Sequence, residues 1–98
     1  MWRHGDVLIS RVDSIPANRK RLPHCILAEG ELTGHSHRVE GSGVAELFQS
    51  GGERFLRVLV DQARVIHEEH RTITLPRGTY RVWGQREYTP RAIVRVRD

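Results

Sequence analysis

Apolar residues in this chain come in short runs, separated about every ten residues by glycine, proline or a charged turn. The first run, Asp6 to Val12, is rich in β-branched residues, follows Gly5 and stops at Asp13-Ser14-Ile15-Pro16, which predicts a strand. Residues 17–23 are polar, basic and bracketed by Pro16 and Pro23, which predicts a loop. His24 to Glu29 predicts a second strand, and Leu32 to Glu40 a third, closed by Gly41-Ser42-Gly43. Val44 to Gln49 and Arg54 to Val60 flank Ser50-Gly51-Gly52-Glu53, the pattern of a β-hairpin. Alternation in its second arm assigns Leu56, Val58 and Val60 to the inner face.

Further on, Arg64 to Glu68 and Arg71 to Leu75 read as two short extended pieces meeting at a Glu69-His70 corner. Pro76-Arg77-Gly78 has the composition of a turn. Thr79 to Glu87 predicts a longer strand, with Gly84 marking a bulge or a close backbone approach, and Ala92 to Arg97 a last one. Alternation favours Tyr80 and Val82 as core, leaving the Gln85-Arg86-Glu87-Tyr88 cluster toward solvent. No window carries helical periodicity beyond two turns. The expectation is an all-β protein: a single small barrel or sandwich of eight to nine short, mostly antiparallel strands, one domain over residues 1–98.

Composition limits what such a domain can do. With 38% hydrophobic residues the core is modest, so stability is expected to draw on homo-oligomerisation or a bound ion. Cys25 is the single cysteine, which excludes an internal disulfide and a thiolate zinc knuckle and suits a reducing cytoplasm. No apolar run approaches the roughly 20 residues of a membrane span, and the N-terminus lacks the pattern of a signal peptide. The net charge is +4, and a single lysine among 16 cationic residues leaves the rest arginine. Arg19, Lys20 and Arg21, with Arg38, are the candidate phosphate contacts for a nucleic-acid-binding barrel. Acidic residues are interspersed and no five-residue basic block occurs, which makes that the alternative reading.

The histidines point elsewhere. In an extended Thr33-Gly34-His35-Ser36-His37-Arg38, the period of two sets His35 and His37 on one face, where two imidazoles can converge on one cation. His67-Glu68-Glu69-His70 supplies a second pair, three residues apart, which needs a corner at Glu68-Glu69 before both rings can face one ion. His35, His37, His67 and His70 are therefore the candidate metal ligands. Glu69 (or Glu68) is the candidate for orienting a ligand ring or acting as general base toward a bound water. An all-imidazole set suits a divalent transition metal (Zn, Fe, Ni, Cu or Mn). His4 and His24 stand alone and read as surface or internally satisfied histidines.

Gly34-His35-Ser36-His37-Arg38-Val39-Glu40, followed by Pro76-Arg77-Gly78, resembles the two motifs of the cupin superfamily, small β-barrels with a histidine-lined metal site. The resemblance implies His35 and His37 as ligands. It departs from the cupin pattern in that Glu40 falls one residue short of the usual gap and Arg81 stands where the second motif has a histidine. On that reading His67 or His70 replaces the missing ligand. The leading expectation is a metal-binding β-barrel, with enzymatic action on a small polar or anionic substrate as its extension. A nucleic-acid-binding barrel and a small assembly module are the alternatives.

Overall fold

The computed structural model describes residues 1–29 and 35–85. Among the described residues, eight strands make up one sheet: β1 (Trp2–His4), β2 (Val7–Arg11), β3 (Lys20–Arg21), β4 (Ile26–Glu29), β5 (Ser36–Val39), β6 (Ala45–Ser50), β7 (Glu53–Ile66) and β8 (Ile73–Gly84). Every pairing is antiparallel. The all-β expectation therefore holds, but the sheet is not closed into a barrel. The path runs β1-β2-β8-β7-β5-β4, and β6 branches off it on β7 with β3 beyond. β7 is long enough to pair with β6 over its first half and with β5 near its end. This fork leaves β1 and β4 at opposite ends of the hydrogen-bonded path. The apolar face is buried because the sheet folds over itself, bringing Ile9 of β2, Leu27 of β4, Leu47 of β6 and Val65 of β7 into one cluster.

The β6–β7 hairpin forms as its alternation requires, with Gly51 at φ 61° in a two-residue turn that joins Ser50 to Glu53. Leu56 and Val58 are fully buried, while Val60 is only half-buried. The opposite face is not all solvent. Phe55 lies directly across from Phe48, and the two pack with Ile15 in a second, smaller cluster. Tyr80 and Val82 are core, as the alternation of β8 favours.

Three local expectations are corrected. Arg64–Ile66 is not a separate piece but the end of the 14-residue β7. Lys20–Arg21, expected in a loop, pairs with Phe48 and Gln49 of β6 as a two-residue strand. Pro76-Arg77-Gly78 is not a turn, because β8 passes straight through it. Val58 pairs with Gly78 and Gln62 with Pro76, so Leu59, Val60 and Asp61 face Arg77 alone across a bulge. A proline fits there because the ladder is already interrupted and its missing N–H costs nothing. The Arg77 guanidinium fills the gap, donating to the Leu59 carbonyl at 2.7 Å and to Asp61 at 3.0 Å. The expected strand over Ala92–Arg97, the 86–88 part of the polar cluster and the start of the His-X-His segment lie outside the described residues.

Candidate metal centre

Three segments remote in sequence, the end of β1, the start of β5 and the β7–β8 connection, meet at one place. β5 carries His37 inward, beside Val39, because its burial alternates. The β7–β8 connection carries His67 and His70, and it bends at residues 68–70. The His67 Nδ1 accepts the Glu69 N–H at 2.9 Å, a local turn that supplies the corner two histidines three apart require. Their ring centroids are 4.5 Å apart. Glu68 ties the two segments together: its carboxylate accepts the Ser36 N–H at 3.2 Å and pairs with Arg38 at 3.1 Å. Its own backbone N–H first, then Ser36 and Arg38, hold that carboxyl down to about 2.

The four histidines singled out from the sequence do come together. His37, His67 and His70 each offer a nitrogen, and these atoms all lie within 4.8 Å of one another. His35, His67 and a Glu68 oxygen form a second such group, sharing His67. His35 precedes β5 rather than lying in it, and its ring stands 5.6 Å from that of His67. Glu69 is exposed, with a carboxylate oxygen 3.6 Å from His35 Nδ1. The carboxylate facing His37 is instead Asp6, at 3.8 Å from Nε2.

Sequence reasoning missed His4. It closes β1, whose alternation turns Trp2 and His4 inward and Arg3 outward. A two-residue turn of Gly5, at φ 65°, and Asp6 pairs His4 with Val7. The Gly5-Asp6 pair ahead of the Val7 run was the available signal for that hairpin, and with it for an inward His4. His4 is only 2% exposed, and its Nδ1 lies 2.8 Å from the Nδ1 of His37. The turn lies tight over the rings. A β-carbon on Gly5 would stand 2.9 Å from His37 Cε1 and 3.0 Å from His70 Nε2.

Burial favours the neutral form of three of these rings, His37, His4 and His67. His37 is pushed down to about 4, by desolvation first and then by His67, His4 and His70, with Asp6 opposing. Burial also lowers His4 and His67. A neutral imidazole keeps the lone pair that a metal needs. Ligands bound at 2.0–2.1 Å around a tetrahedral ion lie about 3.3 Å apart, so nitrogens within 4.8 Å of one another have to close by at most about 1.5 Å.

The basic residues proposed for phosphate contact are largely engaged within the protein. Arg21 pairs with Glu46 at 3.3 Å and Arg38 with Glu68, while Arg19 stacks over Phe48 and donates to the Ile15 carbonyl. Lys20 is exposed on β3.

A family model described as Domain of unknown function (DUF8820) matches residues 3–85. The chain belongs to that family. The DUF8820 match spans β1 through β8 and takes in all five clustered histidines, Gly5 and both glutamates of the β7–β8 connection. No curated protein and no solved structure matches the chain. Among the described residues of this DUF8820 chain, no helix is long and apolar enough to cross a membrane.

Proposed function

We propose that this chain binds a divalent transition-metal ion through His37, His67 and His70. The supporting observation is the convergence of three imidazole nitrogens within 4.8 Å from β5 and the β7–β8 connection. The group runs from buried His37 through half-buried His67 to exposed His70, so an ion bound there is reachable from solvent and uses all three lone pairs at once. The donor set has no thiolate, which favours zinc, iron, nickel, copper or manganese bound by nitrogen. The cupin resemblance implies His35 as well as His37, but the positions of that family's other two ligands are engaged elsewhere. Glu40 pairs with Arg64 at 3.0 Å, and Arg81 with Glu53 at 3.0 Å. Three protein ligands leave a coordination position for water or a small anionic substrate, with Asp6 the carboxylate beside it.

Ligation by His67 has a local cost. A neutral ring whose Nδ1 accepts the Glu69 N–H carries its proton on Nε2, so bonding through either nitrogen gives up that backbone hydrogen bond. The loss is about 1 kcal/mol, small beside the roughly 10 kcal/mol or more available from a structural zinc ion. Elemental analysis tests the proposal on protein purified without chelator or affinity metal. Near-stoichiometric metal in the wild type, lost in His37→Ala and in the His67→Ala, His70→Ala double variant, is expected. Metal-free folded protein that takes up none on dialysis against zinc, iron, nickel, copper or manganese overturns it.

A further inference from the structure

The geometry points to His4 as a positioning residue for this site, one that holds His37 in the tautomer presenting Nε2 to the cation. The inference rests on the metal reading above and adds a residue outside the ligand set. Two ring nitrogens at 2.8 Å share one proton, so one donates and the other accepts. If His37 binds a cation as a neutral ring while Nδ1 faces His4, its proton sits on Nδ1 and its lone pair on Nε2. That nitrogen faces the Asp6 side of the site, 3.8 Å from the carboxylate.

His4 then has to accept through Nδ1, which places its own proton on Nε2. The His4 Nε2 is buried and has no hydrogen-bond partner among the described residues. The Nδ1–Nδ1 contact thus sets one order for a cation held by His37 Nε2: His4 Nε2–H, His4 Nδ1, His37 Nδ1–H, His37 Nε2, cation. Ligand histidines commonly use their other ring nitrogen to hydrogen-bond an acceptor that fixes ring and tautomer, and here the acceptor is a second histidine. The Gly5 turn that follows His4 also lies against the His37 ring, where a β-carbon would stand 2.9 Å from Cε1.

Long-range ¹H–¹⁵N correlation spectra of the zinc-loaded protein read both rings directly. We expect His37 protonated at Nδ1 and bound through Nε2, with His4 protonated at Nε2. Zinc affinity of two variants provides the second arm. His4→Gln keeps an amide acceptor for His37 Nδ1–H and should stay within about threefold of wild type. His4→Leu removes the acceptor and should lose about 10–100-fold. Binding of His37 through Nδ1, or equal affinity of both variants, overturns the inference while leaving the metal site intact. Absence of zinc binding in the wild type overturns the parent reading instead.

Discussion

Gly5 stands over His70 so closely that a single added carbon would come within 3.0 Å of Nε2, although 65 residues separate them. Gly5 also holds φ at 65°, where an L side chain is strained. Gly5→Ala is therefore expected to cost about 1–2 kcal/mol of stability and to weaken metal binding, because the rings it displaces, His37 and His70, are proposed ligands. Urea unfolding and zinc titration of the same variant check both effects. A stability loss with unchanged affinity would separate the turn from the site.

Acidification should destabilise the metal-free protein. The His37 ring titrates at about 4 when folded and near 6.5 when unfolded, so the unfolded chain binds its proton first as pH falls. The stability this ring contributes is complete above pH 6.5 and is lost progressively between 6.5 and about 4, roughly 3 kcal/mol in all. His4 and His67, also lowered, act in the same direction. Urea midpoints at pH 7.5, 5.5 and 4 should fall in that order. A flat profile would mean the rings are not buried as described.

Metal binding should release the Glu69 amide. Its N–H rests on His67 Nδ1 at 2.9 Å, and no neutral His67 can both keep that bond and ligate. A large zinc-dependent shift of the Glu69 amide resonance, with faster hydrogen exchange, is expected. An unmoved Glu69 amide in zinc-saturated protein would remove His67 from the ligand set.

The fold was legible wherever alternation met turn chemistry. Ser50-Gly51-Gly52-Glu53 predicted a hairpin because its glycines allow the positive φ that such a turn demands, and Tyr80 and Val82 fell on the buried face of β8. Pro76-Arg77-Gly78 misled because the same residues serve a bulge as well as a turn. Only the pairing partner distinguishes the two, and the partner residues Leu59–Asp61 lie 15 or more positions away. Barrel closure was not legible either, since it depends on β6 and β5 sharing β7. In the site, His35, His37, His67 and His70 stood out through local spacing. His4 did not, because a lone histidine becomes informative only once β1 pairs with β2 and carries it inward.

The core and the site should fail separately. Leu56 is fully buried in the main cluster, paired with Leu47 of β6 and Tyr80 of β8 toward the end of β7 far from His67. Leu56→Ala is expected to cost about 2–5 kcal/mol, read as a lower urea midpoint, while zinc affinity of the folded fraction stays within a few-fold of wild type. An equal collapse of both would make the site a passive consequence of global stability.

Isothermal titration of zinc into metal-free protein at pH 7.5, with His37→Ala alongside, is the most direct measurement. The arrangement of His37, His67 and His70 predicts saturable binding in the wild type and its loss in the variant. Wild-type protein that is folded yet shows neither binding heat nor a zinc-dependent rise in melting temperature would contradict it.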